Sequence, residues 1–232
     1  PLDFLIDPFV SRNSKARPIQ PLSPETLQNC SHVFLSHGHF DHARDLARIR
    51  PQKLYCSSRL VPGLIQKGLD PGCPVPVDRD GWRLTLGHMT AQAFFSRHIR
   101  FDPGLILNRL RAMAPEILSC ISLVRAWPGG QVLAWQFSLE NKTLLFFGSA
   151  GSTEAELHRL RTLARPDLLM LPLQGHTRIH AIALTHVRIL QPKAVIAHHY
   201  DDFYPPVSRF RDPSPFVKKV AQKFPGTKIF LP

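Results

Sequence analysis

The stretch Val33-Phe34-Leu35-Ser36-His37-Gly38-His39-Phe40-Asp41-His42 decides how the chain is interpreted, because an apolar run leads directly into three imidazoles and a carboxylate. We expect residues 32–36 to form a buried strand and Asp41 to begin a helix, with a tight turn at Gly38. His37 and His39 would then leave the turn on one side, while Asp41 and His42 face the strand end. Imidazole and carboxylate groups hold zinc and similar cations, so the stretch predicts a metal site.

The alternative is a surface turn, in which the histidines are solvated and Asp41 caps a helix. Four ligand-type residues within positions 37–42 favour the metal site over this alternative. The spacing His-x-His-x-Asp-His resembles the signature of the metallo-β-lactamase-fold superfamily. The resemblance implies a fold of the α/β class, a four-layer αββα sandwich with the metal at one edge between two sheets.

The rest of the chain alternates between apolar strand-like segments and helical segments, as a layered α/β domain requires. Residues 41–49 have apolar residues at helical spacing and are expected to form one helix. Residues 70–81 contain three prolines and are expected to form a loop. Further strands are expected at 2–7, 53–56, 82–86, 89–96, 131–138, 143–148, 168–171, 194–197 and 228–231.

The resemblance also implies the remaining metal ligands. His98 follows the strand at 89–96, where the family has the third ligand of its first site. His199 follows the strand at 194–197 and would be the last ligand, with His198 as the alternate if the register is shifted. By the resemblance, a first metal is held by His37, His39 and His98, and a second metal by Asp41, His42 and His199. Asp41 would also be the catalytic residue, orienting the attacking water or taking its proton.

The chain departs from the family pattern at Ser149, where family members usually have an aspartate that bridges two metals. A neutral hydroxyl is a poor bridging ligand for such cations. Either one metal dominates, or water fills the gap, or Asp201 or Asp202 substitutes from another loop. The expected cofactor is Zn²⁺, as one or two ions, with Mn²⁺ or Fe²⁺ as alternatives; no organic cofactor is expected.

Residues 101–128 are rich in leucine and isoleucine, with Arg109, Arg111 and Arg125 between them. This segment is expected to form one or two amphipathic helices. It is either a helical insertion that packs on the domain, or a lid or interfacial surface beside the metal site.

The length of 232 residues suits one domain, 1–232, and the composition gives no linker that would divide it. A hairpin that precedes the first strand in the family would be missing here. Because the chain opens on Pro1, the question of an N-terminal segment stays open. No apolar run reaches the length of a membrane span. Four scattered cysteines fit reduced thiols, so a cytoplasmic location is expected.

The net charge of +12 suits an anionic partner, although the 20 arginines and 9 lysines are spread along the chain. The resemblance implies a metal-dependent hydrolase of an ester, lactone or phosphoester, in a branch similar to L-ascorbate-6-phosphate lactonases and phospholipid phosphodiesterase-like proteins. Its substrate would be a small or lipid-like anion, and a homo-oligomer is allowed. The alternatives are an RNA or DNA nuclease of the same fold and a non-hydrolytic descendant that binds a metal or metabolite.

Overall fold

Two β-sheets form the centre of the fold in the computed structural model, which describes residues 3–163 and 165–232. The first sheet has four parallel strands in the order β1-β2-β3-β4. These strands are β1 (Phe4–Ile6), β2 (His32–Phe34), β3 (Lys53–Ser57) and β4 (Pro74–Val77). Short strands with buried apolar residues are typical of a parallel sheet that is covered on both faces.

The second sheet has seven strands in the order β11-β10-β9-β8-β7-β6-β5. Its strands are β5 (Trp82–Leu86), β6 (Met89–Ser96), β7 (Val132–Leu139), β8 (Lys142–Phe147), β9 (Leu168–Pro172), β10 (Ala194–His198) and β11 (Lys228–Phe230). From β5 to β8 the neighbours are antiparallel, and from β8 to β11 they are parallel.

Helices cover the outer face of each sheet. They are α1 (Phe40–Ala43), α2 (Leu46–Ile49), α3 (Val61–Gln66), α4 (Pro103–Met113), α5 (Ile117–Ala126), α6 (Glu154–Leu163), α7 (Ile179–Leu190) and α8 (Ser214–Lys223). One apolar cluster joins α1, α2 and α3 to the first sheet, and another joins α6, α7 and α8 to the second. The expected four-layer αββα sandwich is therefore confirmed.

The two sheets meet through an aromatic core. Phe34 of β2 contacts the rings of Trp135 and Phe137 of β7, with ring centroids 5.0 and 4.9 Å away. The indole nitrogen of Trp135 donates a hydrogen bond to the carbonyl of Leu35 at 3.1 Å. This bond satisfies the one polar atom of a fully buried indole and fixes the end of β2 against the second sheet.

The structure corrects two expectations about elements. Residues 41–49 form two short helices instead of one, and Asp45 lies between them, where its buried carboxylate accepts hydrogen bonds from the backbone N–H groups of Val10 and Ser11. Residues 70–81 are not all loop, since Pro74–Val77 pairs with β3 as an edge strand. An edge position tolerates proline, which lacks the N–H that a central strand needs.

Residues 101–128 contain two helices, α4 and α5, which we call the α4–α5 hairpin (residues 103–126). Asp102 caps α4 by accepting a hydrogen bond from the N–H of Leu105. Among the described residues of these two helices, only Cys120 is buried. Among the described residues, no helix combines the length and apolar character needed to cross a membrane.

Candidate metal centre

The turn after β2 brings the histidine-rich motif to the edge where the two sheets meet. The Gly38 N–H donates to the carbonyl of Gly129 at 2.9 Å, and a Cβ at Gly38 would lie 2.5 Å from the carbonyl oxygen of Pro128. Only glycine allows this close approach of two backbones. His39 then precedes α1, so Asp41 and His42 lie in the first turn of that helix.

Three histidines form the first group of possible metal ligands. One ring nitrogen from each of His37, His39 and His98 lies within 4.8 Å of the others. His37 and His39 come from the turn after β2, and His98 comes from the segment that follows β6. The structure therefore brings His98 to two histidines that lie about sixty positions earlier in the chain.

Asp41, His42 and His199 form the second group, again with ligand atoms within 4.8 Å of one another. The Oδ2 atom of Asp41 lies 3.2 Å from Nε2 of His199 and 3.8 Å from Nε2 of His42. The rings of His37 and His42 are 4.0 Å apart between centroids, so the two groups adjoin.

The backbone at the end of β10 separates His199 from His198. His199 has a φ of 55°, in the left-handed region, and its ring faces Asp41. His198 is still in the strand, where its Nε2 atom lies 3.1 Å from the carbonyl oxygen of Phe147 and its ring stacks on Phe146. The structure thus brings His199 to the cluster and leaves His198 in the core.

Hydrogen bonds at Nδ1 orient three of the histidines. The Nδ1 atom of His98 donates to the carbonyl of Ile99 at 2.7 Å, and Nδ1 of His37 lies 2.9 Å from the Ser36 hydroxyl. Nδ1 of His42 lies 2.7 Å from Oδ2 of Asp7. When Nδ1 has a hydrogen-bond partner, the lone pair of Nε2 is free to bind a metal. Histidines that bind metals usually have such a partner at their other ring nitrogen.

Asp7 is the residue of this site that sequence reasoning missed. Asp7 directly follows β1. Its carboxylate accepts hydrogen bonds from the backbone N–H and the hydroxyl of Ser36, and it contacts His42. Asp7, His37 and His42 also form a third group of ligand-type atoms within 4.8 Å. The sequence contains one indication of this role: Asp7 is an acidic residue that directly follows a predicted apolar strand, in the same way that His37 follows β2.

The pKa values of the histidines in the first group are all shifted downwards. Burial and then the neighbouring imidazoles place the pKa of His37 well below its ordinary value, and burial and His98 lower the pKa of His39 to about 4. Burial also lowers the pKa of His98. Neutral imidazole is the form that binds a metal, because its lone pair is free.

The charges differ in the second group. Burial alone would lower the pKa of His42, but Asp7 and Asp41 raise it overall. Burial would raise the pKa of Asp41, but His42 and His199 lower it well below the ordinary carboxyl range. The cluster therefore contains an ionised carboxylate facing several buried imidazoles, and this donor set of nitrogen and oxygen fits a divalent cation.

Ser149 does not complete the cluster. Its buried hydroxyl accepts a hydrogen bond from the backbone N–H of Ile99 at 2.9 Å, directly after His98. The acids that sequence reasoning offered as substitutes are engaged elsewhere: Asp201 lies 2.7 Å from the guanidinium of Arg12, and Asp202 accepts from the Ser208 hydroxyl at 2.6 Å. Within the described chain neither belongs to the three groups of possible ligands, so Asp7 is the additional acid beside the histidines.

Comparison with known proteins agrees with this fold. A profile of the Beta-lactamase superfamily domain matches residues 3–200. The chain belongs to that superfamily, whose metallo-β-lactamase fold it has. This confirms the superfamily that the motif at residues 37–42 resembled.

The curated relatives have one name in common. A UPF0173 metal-dependent hydrolase from Aeropyrum pernix is 21% identical over 232 residues, which cover 97% of this chain and 85% of the relative. A UPF0173 metal-dependent hydrolase from Listeria monocytogenes is 26% identical, with 96% of this chain and 87% of the relative covered.

Solved structures share the fold. Igni18, a metallo hydrolase from Ignicoccus hospitalis, has a TM-score of 0.64 at 19% identity and covers 98% of this chain and 86% of its own. An isothiocyanate hydrolase from Delia radicum gut bacteria has a TM-score of 0.65 at 14% identity, with coverage of 99% and 89%. CmlA, a diiron β-hydroxylase from Streptomyces venezuelae, has a TM-score of 0.59 at 14% identity, with coverage of 98% and 49%. The fold thus carries more than one chemistry and does not select a substrate.

Proposed function

We propose that this chain is a metal-dependent hydrolase of an ester, lactone or phosphoester. The observation that carries the proposal is the meeting of five histidines and Asp41 at one edge of the two sheets. The shared name of the curated relatives, metal-dependent hydrolase, supports it. In this proposal one cation would be held by His37, His39 and His98, and any second cation by Asp41, His42 and His199.

A cation held by these groups would supply Lewis-acid chemistry, in which it would lower the pKa of water to about 7 and polarise the bond under attack. Residues of the chain orient the attacking water and the ligand side chains. Asp41, whose pKa is low because His42 and His199 face it, stays ionised and orients the attacking water by accepting its hydrogen bond. Asp7 accepts from Nδ1 of His42 and so keeps Nε2 directed at the centre.

Zinc is the proposed metal, because imidazole nitrogen and carboxylate oxygen are among its usual protein ligands. The same donors accept Mn²⁺ and Fe²⁺, so the loaded metal has to be measured. Asp7 adjoins His37 and His42 and is the additional acid beside them, whereas the family resemblance implies a bridging aspartate at the position of Ser149. One or two ions per chain are compatible with this arrangement.

The substrate that we propose is a small or lipid-like anion. The chain has a net charge of +12, which raises the local concentration of anionic substrates around it. The same charge favours a second candidate, a nuclease of this fold. A nuclease would bind RNA or DNA with an affinity that falls steeply with added salt, and a titration at two salt concentrations measures this directly.

Ser149 favours a third candidate, a descendant that binds a metal or metabolite without hydrolysis. Such a protein would retain a ligand tightly and give no turnover at any metal loading. Equilibrium binding together with turnover assays across Zn²⁺, Mn²⁺ and Fe²⁺ separates it from the hydrolase.

We further propose that the whole chain is one domain and that residues 101–128 cover the metal centre. The ring of Phe101 lies 5.4 Å from that of His98, and a Cβ at Gly129 would lie 3.0 Å from Nε2 of His39. Both ends of the segment are thus held against ligand histidines, as a lid over the centre requires.

Two substitutions test the hydrolase. His39→Ala and Asp41→Ala should each lower the hydrolysis of generic phosphodiester and ester substrates at least about a hundredfold, since even residues outside the ligand set often cost that much. The matched control is His88→Ala, an exposed histidine in the turn between β5 and β6. Circular dichroism must show that all three variants fold. Unchanged turnover in His39→Ala would reject the proposal.

A further inference from the structure

The α4–α5 hairpin exposes a cluster of large apolar side chains. Fourteen large apolar residues are exposed in the described part of the chain, and six of them lie in these two short helices. They are Ile106, Leu107, Leu110, Leu118, Ile121 and Val124. Single exposed leucines are ordinary, but six large apolar side chains exposed on two successive helices indicate an interaction surface.

This surface is not a by-product of helices that pack on the domain. Cys120 is the one buried residue in α4 and α5, so the hairpin contributes little to the core. Leu118 is 81% exposed, the highest value among the exposed large apolar residues of the described chain. A helix pair with so little buried area needs another partner for its apolar side chains.

The charges of the hairpin identify that partner. Arg111 and Arg125 are exposed, and within the described residues neither forms an ion pair. The hairpin segment has one acid, Glu116, and Lys15 neutralises it at 2.7 Å. Exposed leucine and isoleucine among unpaired arginines are typical of helices that lie in the interface of an anionic membrane.

A second copy of the chain fits this surface less well. Self-association would bring two chains of net charge +12 together, with Arg111 and Arg125 of each near the contact. An anionic lipid surface removes that repulsion and accepts the apolar side chains at the same time. We propose that the α4–α5 hairpin docks this protein on anionic phospholipid membranes.

The hairpin is fixed to the body of the protein on the side of the metal centre. Arg109 of α4 donates to the carbonyl of Ser208 at 2.9 Å, in the loop that follows His199. Asp102 also accepts from the N–H of Thr177 at 2.7 Å. Docking through α4 and α5 therefore holds the metal centre close to the lipid headgroups. The docking itself requires no metal and no hydrolysis, so it stands or fails separately from the proposed function.

The test is sedimentation of the full chain with vesicles of phosphatidylglycerol and phosphatidylcholine, compared with vesicles of phosphatidylcholine alone. We expect binding to the anionic vesicles that weakens with salt. Leu118→Asp should reduce the partition coefficient at least about tenfold, because the side chain enters the apolar part of the interface. The matched control is Leu139→Asp, which changes the charge equally on an exposed leucine at the far end of β7 and should bind like the wild type.

The proposal is overturned if the wild type does not bind anionic vesicles, if it binds neutral vesicles equally well, or if both aspartate variants behave alike. Analytical ultracentrifugation adds one more outcome. A dimer that dissociates on Leu118→Asp, without vesicle binding, would assign the surface to a second copy of the chain.

Discussion

Ser149 lies where the family resemblance implies a bridging aspartate, and its hydroxyl accepts a hydrogen bond from the backbone N–H of Ile99. One carboxylate oxygen of Ser149→Asp could keep the bond to Ile99, while the second supplies a metal ligand. We expect the wild type to hold fewer than two ions per chain and Ser149→Asp to hold about one more. Elemental analysis after purification without added metal or chelator measures both.

Ser149→Ala is the control for this substitution, because it removes the hydroxyl and adds no charge. It should not raise the metal content, and it should lower the free energy of unfolding by about 1–3 kcal/mol, since the N–H of Ile99 loses its partner. Two ions in the wild type would contradict the prediction. In that case Asp7, water or another group replaces the bridging aspartate.

His186 predicts how stability depends on pH away from the metal centre. Its side chain is buried in α7, Nδ1 donates to the carbonyl of Ile182 at 3.0 Å, and burial lowers its pKa from 6.5 to about 4. Between these two values the unfolded chain binds the proton and the folded chain does not. The contribution of His186 is therefore complete above pH 6.5 and declines as the pH falls towards 4, by about 3 kcal/mol at most.

Urea unfolding of the wild type and His186→Leu at pH 7 and pH 4 measures this contribution. The variant should lose less stability between the two pH values, because leucine does not titrate. His88→Leu, at an exposed position, should lose as much as the wild type. Equal losses in the wild type and His186→Leu would mean that burial does not lower the pKa of His186 in the folded chain.

Ligand-type residues could be predicted from the sequence where they are close together or follow an apolar strand. His37, His39, Asp41 and His42 lie within six positions and needed no tertiary information. The choice of His199 over His198 depends on the left-handed backbone at His199, and the roles of Asp7 and Ser149 depend on contacts across 29 and 50 positions. Such contacts have no local sequence signal.

At the scale of elements, the end of β8 has to approach the ends of β1 and β2 closely for the site to form. A Cβ at Gly148 would lie 1.9 Å from Oγ of Ser36 and 2.7 Å from Oδ2 of Asp7. We therefore expect Gly148→Ala to lower the free energy of unfolding by about 1–3 kcal/mol through overpacking. It should also weaken metal binding, because Ser36 and Asp7 orient His37 and His42.

Chemical denaturation and a zinc titration measure the two effects of Gly148→Ala. Gly63→Ala is the matched control, because Gly63 lies in α3 and no atom comes within 4 Å of its added Cβ. The control should be as stable as the wild type or slightly more so, since alanine favours a helix over glycine. A stable Gly148→Ala with normal zinc affinity would mean that the strand ends can separate without loss.

The sequence predicted most elements because apolar periodicity reports burial, and it failed where a tertiary contact overrides periodicity. Strands were expected at 131–138 and 143–148, and the structure pairs β7 with β8 as a hairpin in which both Glu140 and Asn141 have the positive φ that such a tight turn needs. Local periodicity did not predict the break between α1 and α2, where the Asp45 carboxylate accepts hydrogen bonds from Val10 and Ser11, which are far away in the sequence.

For the whole molecule, the metal centre belongs to both sheets at once. Asp7 and the motif at residues 37–42 follow strands β1 and β2 of the first sheet, whereas His98 and His199 follow strands β6 and β10 of the second. Apart from Asp7, all of these residues were predicted from the sequence as polar residues at the end of an apolar strand. Only the family resemblance predicted that these strand ends converge, because the order of strands in a sheet cannot be inferred from local sequence.

A cation at this centre should therefore stabilise the whole fold by linking the two sheets. When it is removed, the imidazole groups and the Asp41 carboxylate lose the cation that they would bind together. If the cation is present at about a thousand times its dissociation constant, its loss costs about 4 kcal/mol, which for a chain of this size lowers Tm by about 10 °C. Scanning calorimetry with chelator, after dialysis and after zinc is restored, measures this shift. His39→Ala should respond much less to chelator than His88→Ala, and equal Tm values with and without chelator would mean that no cation links the sheets.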